Sequence, residues 1–333
     1  MVADVDDLLS EATVAQISIG PDRELLVLSF ARPYPCDNTT ASPPSGPLAY
    51  KIHRRNSAGW ELIQTLAPSG KHYSFVQPLP GERWLLVRSL AASASDLNAD
   101  IFNGSGTILS SFYAGDGIEH VQTTPSGDIW IGYFDEGVFG REELGQSGLA
   151  CLNDHGKPLF QYRSDIAEPN GLPSIDDCYA LNVPNDELVW ATYYSDFPLI
   201  KLRNKLLDKV WRDFPAKAVK SFAVSDDQLL MVAAYRKEAL LYSVDRETVF
   251  GRDPTIGFKR ESTFIRLLIR ARCHSAFRVA KGSGQESSVF IRPSFGASRQ
   301  GLDVRASWGA ACCAPTRTSP AIFADYRPAR MAA

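Results

Sequence analysis

The sequence predicts an all-β fold, a β-propeller of at least five four-stranded blades, and three observations carry that expectation. Five segments repeat one pattern, in which a short strand, a turn rich in Pro, Asp, Gly or Ser and a strongly apolar strand follow in order. Their turn anchors, Pro21, Pro80, Pro125, Pro184 and Ser225, lie roughly 40 to 60 residues apart, the blade length of propeller repeats. Behind each segment comes a second pair of alternating strands around a polar turn, which makes four short strands per unit.

Taken in order, the first halves are Ile17 to Phe30, Phe75 to Ser89, Val121 to Phe134, Ala180 to Tyr194 and Phe222 to Tyr235. The second halves are Leu48–Leu66, Ile101–Tyr113, Leu149–Tyr162, Leu199–Phe214 and Leu240–Phe250. The runs Asn103-Gly104-Ser105-Gly106 and Asn153-Asp154-His155-Gly156 supply residues that tolerate positive φ, as tight hairpins require. This reading divides the chain into a lead-in over 1–10, a propeller over 11–250 with blades at about 12–66, 72–113, 118–162, 175–214 and 219–250, and a tail over 251–333. Trp84, Trp130 and Trp190 each fall just after the turn, so they are expected at one repeat position, packed between neighbouring blades.

The run Thr124-Pro125-Ser126-Gly127-Asp128-Ile129-Trp130-Ile131-Gly132 resembles the core of the two-component-regulator type propeller repeat. It is also similar to repeats of the virginiamycin B lyase and NHL-type propellers. The resemblance is good in that blade, loose in the other four, and implies a bacterial family. The Gly-His and Trp-Asp landmarks of WD40 repeats are missing, which disfavours that family.

The tail has a different character. Residues 251–333 hold twelve Arg and two Lys against five acidic residues, a net +9, whereas the preceding 250 residues carry −12. Its apolar residues keep no period of 2 or 3.6. Arg-, Ala-, Ser- and Pro-rich sequence of this kind is what an out-of-frame reading of a GC-rich gene yields. The natural family is therefore expected to continue into further blades, with this chain departing from it near Val249–Gly251. The alternatives are a disordered tail and a genuine basic tail that binds an acidic partner or nucleic acid.

Composition narrows function only broadly. The overall charge of −3 does not call for nucleic acid or an anionic membrane, and no apolar run approaches the length of a transmembrane helix. The acidic start Met-Val-Ala-Asp-Val-Asp-Asp is not a secretory leader, and the six scattered cysteines form no zinc-ligand spacing. A cytoplasmic protein with reduced, mostly buried thiols is expected.

Propeller sites form where each innermost strand begins and each second strand ends, because both reach one rim around the central channel. That geometry gathers Asp116, Glu119, His120, Asp135 and Glu136 from the third blade and Asp176, Asp177 and Asp196 from the fourth. Lys220, Arg236 and Lys237 come from the fifth, with Arg32, His72 and Arg88 nearby, so the mouth is expected to be acidic on one side and basic on the other. His53 and His155 are expected at the surface. Such a rim fits a non-catalytic module that binds a protein or small ligand and needs no cofactor. The alternative is a metal-dependent lyase or hydrolase, with Ca²⁺ or Mg²⁺ held by the carboxylates and His120 as general acid or base. The virginiamycin-lyase resemblance implies metal-and-histidine chemistry, but that family's histidines find no matching positions here. A carboxylate or His at one repeat position in three or more blades would separate the two readings.

Overall fold

In the computed structural model the described residues are 13–30, 46–212, 214, 217–225, 228–233, 239–244 and 249–251. The lead-in, Arg32, Arg236, Lys237 and all of the expected tail but Gly251 lie outside them.

Among the described residues twenty strands form five four-stranded antiparallel sheets, each a simple meander of consecutive strands. The first blade holds β1 (Thr13–Ile19), β2 (Leu25–Phe30), β3 (Tyr50–Arg55) and β4 (Trp60–Thr65). The second holds β5 (Phe75–Leu79), β6 (Arg83–Val87), β7 (Ala99–Phe102) and β8 (Ile108–Phe112). The third is β9 (Ile118–Thr123), β10 (Ile129–Tyr133), β11 (Leu149–Leu152) and β12 (Pro158–Gln161). The fourth is β13 (Asp177–Asn182), β14 (Leu188–Tyr194), β15 (Leu199–Arg203) and β16 (Leu206–Trp211). The fifth is β17 (Val219–Ser225), β18 (Gln228–Ala233), β19 (Ala239–Val244) and β20 (Val249–Gly251). The innermost strands neighbour one another in chain order, β1 beside β5, then β9, β13 and β17. This is the propeller the repeat predicts.

Alternation explains how one strand serves two neighbours. Successive side chains point to opposite faces, so odd and even residues of β10 pack against different blades. Ile129 and Ile131 join Leu85 and Val87 of the second blade, while Trp130 packs with Val189 and Ala191 of the fourth. Two further clusters fill the first-to-second and fourth-to-fifth spaces. Among the described residues no such cluster joins the fifth blade to the first.

The tryptophans are buried as expected, but they do not occupy one position. Trp130 and Trp190 both face the following blade, opposite Gln122 and Asn182 of their innermost strands. Trp84 pairs with Pro78 and faces the preceding blade. A shift of one residue in a strand moves a side chain to the other face. His53 is also a correction: it is 9% exposed on β3, not a surface residue, and burial followed by the charge of Lys51 pushes its pKa down.

Side-chain amides stitch the innermost strands together. Gln16 Oε1 accepts from Val76 N at 2.6 Å, and Gln77 Oε1 accepts from Thr123 N at 3.3 Å. Gln122 bridges to β13 twice, donating to Leu181 O at 3.0 Å and accepting from Val183 N at 2.8 Å. Asn182 donates to Phe222 O at 3.1 Å. The strand edges that face the channel thereby gain partners from the next blade, as buried backbone groups require. At the outer hairpins Asn103 and Asn153 fold the turns, each accepting two backbone N–H groups on its own side-chain oxygen.

Candidate functional site: the channel rim of the third and fourth blades

Four of the five innermost strands slip register by one residue near their start. The extra residues are Ala15, Glu119, Tyr179 and Lys220 in β1, β9, β13 and β17. A bulge re-aims the extra side chain out of the alternation that serves the two sheet faces. Glu119, Tyr179 and Lys220 are therefore equivalent positions, and they carry an acid, an aromatic and a base. The repeated carboxylate or histidine that would favour metal chemistry is not there. Among the described residues no group of three or more His, Cys, Asp or Glu side chains is placed to hold a metal ion.

On the third blade, Asp116 precedes β9 and its Oδ1 accepts from Ala91 N (2.8 Å) and Gly117 N (2.9 Å). The single-turn helix α1 (Asp135–Val138) follows β10 and lies directly on this segment. Gly117 has φ +64°, and a Cβ there would stand 2.2 Å from Gly137 N, so the two backbones can touch only as glycines. That approach brings Asp116, Asp135 and Glu136 together. Partial burial, then the charges of Asp116 and Asp135, push the Glu136 carboxyl above its ordinary range. Phe139, just past α1, is 72% exposed.

On the fourth blade, Asp176 N donates to Tyr194 O at 2.6 Å, and Asp176 Oδ2 accepts from the Ser195 hydroxyl at 2.7 Å. Asp177 pairs with Tyr194 in the ladder. Asp196 (φ +62°) and Phe197 (φ +56°) turn the chain back toward β15, leaving Asp196 exposed. Tyr179, Tyr194 and Phe197 form a contiguous aromatic ledge. Tyr179 and Tyr194 have centroids 6.5 Å apart, and each is 5.5 Å from Phe197. Lys220 Nζ stands 3.7 Å from the Tyr179 ring centroid.

The sequence-derived site residues thus fall into two groups. Asp116, Asp135, Glu136, Asp176, Asp177 and Asp196 lie where strands enter and leave the rim. Glu119 is buried at 8% exposure, and the His120 ring is fully buried beside Gly132 and Cys178, away from the open rim. The expected basic side is largely engaged: Arg88 pairs with Asp96, and Lys220 covers Tyr179. His72 is half-buried. The ledge and Phe139 escaped the sequence reading, although Tyr194 and Phe197 could have been flagged as aromatics just past a strand end.

Charge is handled differently at the two ends of the propeller. At the hairpin-turn end, neighbouring blades are tied by Arg83 to Asp154 (2.8 Å), Lys205 to Asp128 (2.6 Å) and Ser126 N to Asp186 (2.9 Å). On the rim, Asp116, Asp135, Glu136, Asp176 and Asp196 have no ion pair among the described residues.

A model of the YxzG family matches residues 150–249, less than a third of the chain, spanning the end of the third blade and the fourth and fifth blades. The match stops where the composition changes. No curated protein matches the sequence. Among solved structures, the chain is similar to Kluyveromyces lactis Hsv2, at 8% identity and TM-score 0.46 over 73% of this chain and 64% of that one. It is also similar to the C-terminal WD40 domain of Sif2, at 11% identity and TM-score 0.40 over 73% and 75% of the two chains. A chain in a mitotic checkpoint complex gives 8% identity and TM-score 0.45 over 73% and 67%. The chain spans under two thirds of the length of Hsv2. Likeness at this level says nothing of function.

Proposed function

We propose that this protein is a non-catalytic propeller scaffold that binds a partner protein through the rim of its third and fourth blades. The asymmetry of charge supports this reading most directly. At the hairpin-turn end Asp154 and Asp128 are held by cations of the neighbouring blades, whereas five rim carboxylates have no ion pair among the described residues. The rim also keeps two aromatic side chains, Phe139 and Tyr194, 72% and 47% exposed. Grouped like charges and exposed aromatics stabilise a fold poorly, and aromatic residues are enriched where proteins meet. Cys151 and Cys178 are unbridged and buried, which suits a reducing, cytoplasmic setting.

Photo-crosslinking with position contrast tests the proposal. A photoreactive residue placed at Phe139 or Tyr194 should give one discrete protein adduct in the native cell. The same residue at Ser105 or His155, also exposed but on the hairpin-turn end, should give none. Adducts from the hairpin-turn end alone, or from neither end, would contradict it.

A further inference from the structure

We infer that the aromatic ledge of the fourth blade is a docking surface for a lysine- and arginine-rich segment of the partner protein; this rests on the rim reading above and names the chemistry it recognises. The three rings of Tyr179, Tyr194 and Phe197 pack against one another, yet Tyr194 remains 47% exposed. Ring faces carry negative potential and attract ammonium and guanidinium groups within about 6 Å of the centroid. The ledge already takes one such group, since the Lys220 ammonium stands 3.7 Å from the Tyr179 centroid. That nitrogen is buried and has no hydrogen-bond partner, so the ring is what it meets. The same chemistry stays open at Tyr194.

Charge selects the occupant. Asp196 follows Ser195 in the chain, Asp176 is hydrogen-bonded to Tyr194 O and the Ser195 hydroxyl, and neither carboxylate has an ion pair among the described residues. An incoming lysine or arginine gains a ring face and a carboxylate together, with its aliphatic stem lying along Phe197. Nucleic acid or an anionic lipid surface would meet repulsion here, and Asp116, Asp135 and Glu136 on the third blade extend the same field. A basic peptide segment is the partner that both features admit.

The test uses the full chain and fluorescence anisotropy with two labelled peptides, one alternating Lys and Arg with Ser, the other carrying Glu at the basic positions. The basic peptide should bind and weaken with salt, and the acidic one should not bind. Tyr194→Ala should weaken binding about tenfold or more, Tyr194→Phe should retain it, and Asp196→Asn should weaken it several-fold while flattening the salt dependence. Tyr194→Phe and Asp196→Asn should keep the parent's melting temperature, the first because it retains the ring and the second because the side chain is exposed, while Tyr194→Ala, which loses ring contacts to Tyr179 and Phe197, is compared at a temperature where its melting curve shows it folded. Equal binding of both peptides, or an unaltered Tyr194→Ala variant, would overturn the inference. If adducts still form from position 194 while the peptide fails, the ledge chemistry is wrong and the rim reading stands. If no rim position gives adducts, the rim reading falls with it. Carbodiimide coupling that joins Lys259 or Lys281 to Asp176 or Asp196 within one chain would make the chain's own basic segment the occupant, and would also overturn the partner claim.

Discussion

His53 shows how a single side chain sets a condition on the fold. It sits 9% exposed on β3 with Lys51 on the same strand, and burial and that charge both disfavour the imidazolium. The folded pKa lies below the unfolded value of 6.5, so the unfolded chain takes up protons first as pH falls. Stability is therefore full above pH 6.5 and declines as pH drops below it toward the folded pKa. Urea denaturation between pH 7.5 and about 5 should show this decline, and His53→Gln should flatten it; an unchanged slope in the variant would show that other groups carry the acid limb. Trp130 offers a second check. At 1% exposure between the third and fourth blades, its replacement by Ala should cost about 3–5 kcal/mol. A loss below about 1 kcal/mol would contradict inter-blade packing. The burial of Trp130 was legible because its run is strongly apolar and its turn recurs. The face that Trp84 chose was not. The β5–β6 turn is shorter than its counterpart in the third blade, and counting from Pro80 does not reveal which strand residue the tryptophan will oppose.

Among elements, the innermost strands decide both cohesion and site. Three residues after each bulge stand Ser18, Gln122, Asn182 and Ala223. The first three reach the next strand, with Ser18 Oγ donating to Val76 O at 3.0 Å. The fourth is an alanine, so the stitching ends at the fifth blade. Replacing Gln122 with Ala would strand Val183 N and Leu181 O between buried strands, at a cost of about 2–4 kcal/mol in urea denaturation. A change under about 0.5 kcal/mol would mean that water or backbone movement satisfies both groups and that the bridge does not hold the blades. None of this could be read from apolar periodicity, since Gln122 and Asn182 look like ordinary polar interruptions of a strand. The bulges were equally hidden. They place Tyr179 and Lys220 in register with Glu119, so that one repeat position carries three unlike groups.

For the molecule as a whole, the repeat made the fold readable: five turns at blade spacing and alternating strands between them are a property of sequence. The rim was readable in outline, because strand ends mark where loops must emerge. Which carboxylates would stay unpaired was not, since pairing depends on contacts such as Arg83 with Asp154 between residues 71 apart. His120, placed by counting at the mouth, is instead enclosed beside Gly132, where the absence of a side chain leaves room for its ring. On this reading Asp135, Glu136 and Asp196 on the rim are kept for a partner and add nothing to the fold, whereas the carboxylates of Asp128 and Asp154 at the hairpin-turn end hold blades together. The direct measurement is the unfolding free energy, by urea denaturation at pH 7, of the triple variant Asp135→Asn, Glu136→Gln, Asp196→Asn beside that of Asp128→Asn. The triple variant should equal the parent or exceed it by up to about 1 kcal/mol, because like charges are removed, and Asp128→Asn, which breaks the pair with Lys205, should be the less stable of the two. A triple variant destabilised by more than about 1 kcal/mol would mean that these carboxylates serve the fold, and the interaction rim would lose its main support.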